Sequence, residues 1–172
     1  MKQQQLQGLS KKEITLVSDL EFKEKYYFTR EDVEQHFRIK REMINTLYTL
    51  KKKGRIVRLN KNKYFLIPIK ARTGRWVDSS YTIMHEMMDG KDYYLGGWGA
   101  ANYWGLTDQI PMRFDVWTTR RQGRCTILNS KFVFHRTTKK DISKKGIEVK
   151  EGKLHFKIMK KEESALWLSL HQ

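Results

Sequence analysis

Glycines and aromatic residues crowd one stretch of the sequence, residues 93–111, which reads YYLGGWGAANYWGLTDQIP. Glycine-rich turns can cradle phosphate groups, but a Walker loop needs a Gly-Lys pair, which this stretch lacks. Asn102 stands where the third glycine of a dinucleotide-binding fingerprint would be. The stretch therefore matches neither nucleotide-binding motif, and we expect its glycines to let a short helix pack closely against a sheet.

A nucleotidyltransferase site is the closest catalytic alternative. Such enzymes place a Gly-Gly or Gly-Ser pair at the start of a helix and two carboxylates on the next strand, where they hold divalent metal ions. Gly96-Gly97 and Asp115 match this order, but Trp117 occupies the position of the second carboxylate. Because one carboxylate cannot organise a two-metal clamp, we predict no enzyme activity and no metal or other cofactor. A nucleotide-transferring or RNA-processing enzyme that uses Asp115 is the alternative.

The other reactive side chains stand too far apart along the sequence to predict a site. Cys125 is the single cysteine, so an intramolecular disulfide and a cysteine-cluster metal site are both impossible. The five histidines lack the spacing of metal ligands. We expect His85 to face solvent and Cys125 to fill a small space in the core.

The charge of the chain favours a polyanionic partner. Among 172 residues there are 35 lysines and arginines and 19 acidic residues, a net charge of +16. Residues 1–75 carry 19 basic and 8 acidic residues, so most of the excess lies in the first half. Nucleic acid is the first partner that such an excess suggests, and an anionic membrane surface is the second. No apolar run reaches about 18 residues, and the N-terminus lacks a hydrophobic signal core, so we expect a cytoplasmic protein.

Periodicity and capping residues predict three helices in the first half. Ser10 can cap the first helix and Thr29 a short second one. The third helix is predicted over residues 39–53, and Gly54 ends it. Its core stripe has helical spacing and consists of Ile39, Met43, Leu47 and Leu50.

Two alternating segments, RIVRLN and KYFLIP, follow the third helix and predict a β-hairpin. Three helices followed by a basic hairpin form the order of a winged helix-turn-helix. Its third helix would enter the major groove of DNA, where arginine and asparagine read guanine and adenine edges. The hairpin would touch phosphates. We predict that duplex DNA is contacted by Arg38, Lys40, Arg41, Asn45, Tyr48, Thr49, Lys52, Arg58, Lys61 and Lys63.

The predicted fold class is α+β in two domains. Residues 1–70 would form the winged helix-turn-helix domain, residues 71–76 a linker, and residues 77–172 a small α+β domain with a mostly antiparallel sheet. The second domain would contain a helix that ends at Gly90, a helix opened by the glycine run, a strand within MRFDVWTT, and a final helix from residue 161. Its hairpins are predicted at 124–128 with 131–136, and at 147–149 with 153–158. In the final helix we expect Ala165, Leu166 and Leu168 or Leu170 to face inward.

The stretches GRIVRLNKNKYFLIP, YYLGGWGAANYWGLTDQIP and FDVWTTRRQGR, in this order, resemble the AbiEi family of prokaryotic antitoxins and transcriptional regulators. The resemblance covers roughly residues 28–170, and the block at 93–120 is its most specific part. Typical members continue well beyond the helix that starts near residue 161, so the chain resembles a short form.

The resemblance implies a winged helix-turn-helix that represses its own operon by binding inverted-repeat DNA, with a homodimer on the DNA. It also implies antagonism of a nucleotidyltransferase-type toxin, as in type IV toxin–antitoxin systems. A protein-interaction module that docks a toxin is a further alternative. The resemblance maps onto the helix at 39–53, the hairpin at 55–67 and a set of arginines. The arginines expected to make further contacts with DNA or a partner are Arg72, Arg75, Arg120, Arg121 and Arg124.

Overall fold

A computed structural model of the chain describes residues 8–69, 79–152 and 154–171, apart from the side chains of residues 151 and 154. The chain divides into two compact units, Met1–Val77 and Asp78–Gln172, called here the N-terminal and C-terminal units. Each unit combines helices with one β-sheet, which confirms the predicted α+β class. The expected linker at 71–76, with Arg72 and Arg75, lies outside the described residues.

In its described residues, 8–69, the N-terminal unit packs two α-helices and a short 3₁₀-helix beside a three-stranded antiparallel sheet of order β1-β3-β2. Its elements are α1 (Lys11–Phe22), β1 (Tyr27–Thr29), the 3₁₀-helix (Glu31–His36), α2 (Lys40–Lys52), β2 (Ile56–Arg58) and β3 (Lys63–Leu66).

Helix α1 begins where the sequence predicts, because Ser10 and Glu13 form a capping box. The Ser10 hydroxyl accepts from the Glu13 N–H at 3.4 Å, and the Glu13 carboxylate accepts from the Ser10 N–H at 2.6 Å. Leu16, Val17 and Leu20 of this helix are buried in a single core that also contains residues of α2 and of the sheet.

The second predicted helix differs from expectation in type. It is a 3₁₀-helix, and Thr29 ends strand β1 instead of preceding the helix directly. The Thr29 hydroxyl still accepts from the Asp32 N–H at 3.4 Å, while the Asp32 carboxylate accepts from the Thr29 N–H at 2.7 Å. A 3₁₀ segment is frequent as a connector between elements, and this one connects β1 to α2.

Helix α2 buries Met43, Leu47 and Leu50 as predicted, but the expectation for Ile39 is wrong. Ile39 has an extended backbone (φ −136°, ψ 145°) and a side chain that is 62% exposed. Because the helix starts only after this residue, the helical stripe does not extend to it. The observed helix is also one residue shorter at each end than predicted.

The C-terminal unit contains a six-stranded sheet of order β6-β7-β5-β4-β9-β8. The strands are β4 (Tyr93–Gly96), β5 (Phe114–Thr118), β6 (Gly123–Ile127), β7 (Ser130–Arg136), β8 (Gly146–Glu151) and β9 (Leu154–Met159). The helices are α3 (Ser80–Met87), α4 (Gly97–Tyr103), α5 (Lys139–Lys145) and α6 (Lys161–Ser169).

Both predicted hairpins are confirmed, since β6 pairs with β7 and β8 with β9 in antiparallel fashion. Strands β4 and β5 are also antiparallel, but β5 pairs with β7 and β4 with β9 in parallel, so the sheet is mixed. Helix α5 was not predicted, because it buries no side chain and so shows no apolar periodicity. No helix in the described part of the chain is long and apolar enough to cross a membrane.

In the C-terminal unit the expectation for Leu168 is confirmed, while those for Ala165, Leu166 and His85 are wrong. In α6, Ser164 and Leu168 are buried, whereas Ala165, Leu166 and Leu170 are exposed. The Ser164 hydroxyl donates to the carbonyl oxygen of Met159, which turns this small polar residue inward. His85 is half-buried instead of solvent-facing, because its Nδ1 lies 3.2 Å from the Tyr93 hydroxyl.

Candidate nucleic-acid interface

Helix α2 presents most of the predicted DNA-binding residues on its outer side. The buried side chains of this helix fix which side faces out, since they pack into the core with α1. Within the described residues, no hydrogen bond or ion pair was found for the exposed side chains in this group. They are Arg38, Lys40, Arg41, Asn45, Tyr48 and Lys52.

The start of α2 brings several of these residues around one shallow depression. Arg38, Arg41 and Asn45 line it, together with Ile39 and Lys12. Glu42 also lies at its edge, and its carboxylate forms an ion pair with Lys12 of α1. The single acid of α2 is therefore compensated by a lysine, and the arginines beside it are available for another anion.

Thr49 does not belong to this outer side, contrary to the prediction. Its hydroxyl donates to Glu13 of α1 at 2.8 Å, and Lys53 donates to the same carboxylate at 2.6 Å. Burial alone would raise the pKa of Glu13, but the hydrogen bonds from Lys53, Ser10 and Thr49 outweigh it and lower the pKa from 4.5 to about 2. Thr49 and Lys53 hold α1 against α2.

The hairpin between β2 and β3 is closed by its own side chains. The Asn60 side-chain oxygen accepts from the N–H groups of Asn62 and Lys63, both at 2.9 Å. Arg58 donates from Nε to the carbonyl oxygen of Asn60 at 2.8 Å, and from Nη2 to that of Lys61 at 2.9 Å. Arg58 thus stabilises the turn, Lys63 is half-buried in β3, and the Lys61 side chain is exposed at the tip.

The glycine run of the C-terminal unit serves packing, as expected. A Cβ at Gly96 would lie 2.5 Å from the Trp117 ring, and one at Gly97 would lie 2.9 Å from an Asp115 carboxylate oxygen. A Cβ at Gly99 would lie 3.0 Å from the Phe114 ring. Gly97 also has φ of +59°, which side chains disfavour. The run therefore lets α4 begin directly against β5.

Asp115 lies beside this glycine turn and is only 4% exposed. One carboxylate oxygen lies 2.8 Å from Nε2 of His135, and the other lies 3.8 Å from Nε of Arg113. The described residues contain no group of three histidine, cysteine, aspartate or glutamate side chains that could hold a metal ion. The geometry of Asp115 suits a hydrogen bond that orients the His135 ring.

The three arginines expected to make further contacts differ in their surroundings. Arg120 donates to Asp92 at 3.2 Å, and the Arg121 guanidinium lies 4.2 Å from the centre of the Phe134 ring. Arg124 is exposed on β6. Cys125, next along β6, is half-buried, and burial raises the pKa of its thiol. Arg124 is thus the best placed of the three to meet a ligand.

Sequence reasoning missed a row of stacked rings on one face of the C-terminal sheet. Tyr94 and Trp117 have ring centres 5.6 Å apart with planes at 2°, and Trp117 and His135 have centres 4.7 Å apart with planes at 26°. The alternation of β5 places Asp115 and Trp117 on one face, but the row also depends on the parallel pairing of β5 with β7. No local pattern in the sequence signals that pairing.

No family model and no curated protein matches the chain. Among solved structures, the chain is similar to the crystal structure of the RV2827C protein from Mycobacterium tuberculosis, with a TM-score of 0.56 and 19% sequence identity. The match covers 80% of this chain and 50% of that one, so the chain spans about half the length of its neighbour. At this identity the likeness concerns the fold alone.

Proposed function

We propose that the protein is a cytoplasmic, sequence-specific regulator that binds double-stranded DNA through a winged helix-turn-helix. The outer side of α2 carries this proposal, because its exposed cations and Asn45 have no partner within the described residues and its one acid, Glu42, is paired with Lys12. A surface that serves only solubility usually mixes both signs of charge. In the N-terminal unit, α1 is followed by the short 3₁₀-helix, by α2 and then by the hairpin of β2 and β3. This order of elements supports the same proposal.

In this mode α2 lies in the major groove. Its 13 residues form a rod about 20 Å long and roughly 10–12 Å in diameter, which a groove about 12 Å wide admits. Arg41 would donate two hydrogen bonds to a guanine, and Asn45, one turn later, would pair with an adenine. Lys40 and Lys52 would neutralise phosphates on either side, and Lys61 at the hairpin tip would reach the backbone beyond the groove.

Fluorescence anisotropy of labelled duplexes tests the proposal. A duplex selected from a random pool, or taken from the protein's own promoter, should bind at least a hundredfold more tightly than a scrambled duplex of equal length. Arg41→Ala should reduce this preference, while Lys61→Ala should weaken both duplexes to a similar degree. A protein that binds no duplex, or that keeps its full preference in Arg41→Ala and Asn45→Ala, would contradict the proposal.

The resemblance adds that the duplex is an inverted repeat in the protein's own operon, bound by a homodimer, and that a nucleotidyltransferase-type toxin is antagonised. Exposed apolar side chains in the C-terminal unit favour a protein partner of this kind, since Ile110 and Met112 are each 83% exposed. Co-expression with a nucleotidyltransferase encoded next to this gene should give a stable complex. Replacing both residues with serine should weaken that complex, and an unchanged complex would argue against this surface.

A further inference from the structure

One face of the C-terminal sheet combines stacked rings with exposed cations. The pairing registers place two cross-strand rows on this face. The first row is the stacked set Tyr94, Trp117 and His135. The second contains Gly96, Asp115, Val133 and Arg124, and the pair Lys131 and Thr126 follows it.

The row of rings ends at an open position. His135 stacks on Trp117 with one side of its imidazole. Strand β6 begins at Gly123, which pairs with Phe134, so no β6 residue stands opposite His135. The His135 side chain is 40% exposed, and its hydrogen bond with buried Asp115 holds the ring in place. A planar ligand can therefore extend the stack at His135 without rearranging the protein.

The charge of this region is strongly one-sided. Of the charged residues in 113–136, those on or beside this face are the cations Arg113, Arg124 and Lys131 and one acid, Asp115. That acid is buried and bonded to His135, so it offers little negative charge to the surface. Arg124 and Lys131 are exposed on the same face as the His135 ring, and the Arg113 side chain is 57% exposed nearby. Such a combination suits a ligand that carries both aromatic planes and negative charges.

We propose that this face of the C-terminal unit binds single-stranded nucleic acid, at a site separate from the duplex-binding surface on α2. One base stacks on the open side of the His135 imidazole and continues the row that Tyr94 and Trp117 begin. The phosphates that flank this base bind Arg124 and Lys131. A duplex cannot occupy the site in the same way, because its bases are already stacked on one another, whereas an unpaired base can swing out.

Anisotropy with the full chain and two labelled probes, the 12-nucleotide oligomers dT12 and rU12, tests the site. Stacking of one base contributes about tenfold in affinity, so His135→Ala should weaken binding by about that factor. His135→Phe keeps a ring at the position but loses the hydrogen bond with Asp115, so it should weaken binding only a fewfold. Comparing dT12 with rU12 shows whether DNA or RNA is the preferred strand.

Arg124→Ala and Arg136→Ala form a matched pair of charge variants. Arg136 is exposed on the same sheet but on its opposite face, since it pairs with Thr118 and follows His135 in β7. Arg124→Ala should weaken binding of both probes severalfold, and Arg136→Ala should leave their affinities nearly unchanged. Equal losses in the two variants would show attraction by net charge alone and would overturn the site.

Thermal unfolding followed by tryptophan fluorescence checks that each variant is folded. A folded His135→Ala that binds both oligomers like the wild type would refute the proposal, as would a wild-type protein that binds neither, which would leave the face to a protein partner. Arg41→Ala should retain single-strand binding, so failure of the duplex proposal and failure of this one give different results.

Discussion

The two basic surfaces of the molecule differ in shape and in what stands between their cations. On α2 the cations line a convex helix, with Asn45 and Tyr48 among them. On the C-terminal sheet they border a row of rings that ends at His135. A helix fits a groove, whereas a flat face with an open ring fits an unpaired base. Net charge indicates a polyanionic ligand for both surfaces, and the local geometry indicates whether that ligand is a duplex or a single strand.

Each surface depends on a buried carboxylate, and the two carboxylates have different partners. Glu13 is bonded to Lys53, Thr49 and the Ser10 backbone, so its oxygens are satisfied within the N-terminal unit. Asp115 is bonded to His135, whose ring is partly exposed. The first carboxylate therefore fixes the position of a helix, while the second fixes the orientation of a side chain that a ligand can touch.

Removing Glu13 should have the largest effect and should act on the α2 surface alone. Glu13→Ala leaves Lys53 without its buried partner, so we expect the N-terminal unit to lose about 3 kcal/mol of stability. Four of the five tryptophans, residues 98, 104, 117 and 167, belong to the C-terminal unit, so fluorescence reports mainly on that unit. The midpoint of urea unfolding followed by circular dichroism should therefore move to lower urea, while the midpoint followed by tryptophan fluorescence should move little. Lys12→Ala, which breaks an exposed ion pair, is the control, and an equal loss there would contradict this role for Glu13.

The pH dependence of stability should show the same carboxylate. The pKa of Glu13 is about 2 in the folded protein and 4.5 in the unfolded chain, where the carboxylate has no partners. Between these two pH values the unfolded chain therefore binds more protons than the folded protein. The stabilisation of the folded state by ionised Glu13 is complete above about pH 5 and is lost as the pH falls through 2, a change of about 3 kcal/mol in the free energy of unfolding. Urea unfolding at a series of pH values should show this loss in the wild type and not in Glu13→Gln.

The sequence predicts the elements better than it predicts the surfaces. Spacing alone identified the buried stripe of α2 and both C-terminal hairpins, because these depend on contacts within one element or between neighbours. It failed for Thr49, which turns toward Glu13, since a hydrogen bond to another helix leaves no mark on helical periodicity. The row that ends at His135 was missed for a similar reason, because it depends on the antiparallel pairing of β4 with β5 and on the parallel pairing of β5 with β7, which bring distant segments together.

Arg41→Ala and Arg124→Ala should separate the two surfaces. Loss of a bidentate contact to guanine costs about 1–3 kcal/mol, so Arg41→Ala should weaken the preferred duplex by roughly tenfold or more and leave dT12 unaffected. Arg124→Ala should show the reverse pattern. Anisotropy titrations of both variants with both probes measure this, and a variant that weakens duplex and single strand equally would show that the surfaces are not distinct.

Gly97 and Gly105 provide a smaller test of the Asp115 geometry. Both have positive φ, +59° and +65°, so alanine should cost each about 1 kcal/mol in backbone strain. A Cβ at Gly97 also lies 2.9 Å from an Asp115 oxygen, whereas one at Gly105 has no atom within 4 Å. Gly97→Ala should therefore lose more stability than Gly105→Ala in urea unfolding followed by fluorescence. It should also weaken dT12 binding a fewfold, because a displaced Asp115 no longer holds His135.

The smallest effect concerns the salt dependence of binding. The slope of log affinity against log salt changes by about 0.9 for each phosphate contact to duplex DNA and by about 0.7 for each contact to a single strand. Lys61→Ala should therefore lower the duplex slope by about 0.9 and leave the dT12 slope unchanged, since Lys61 lies at the hairpin tip of the N-terminal unit. Lys131→Ala should lower the dT12 slope by about 0.7 and leave the duplex slope unchanged. A change of both slopes in either variant would mean that one surface binds both forms of nucleic acid, because a lysine can alter a slope only where it neutralises a phosphate.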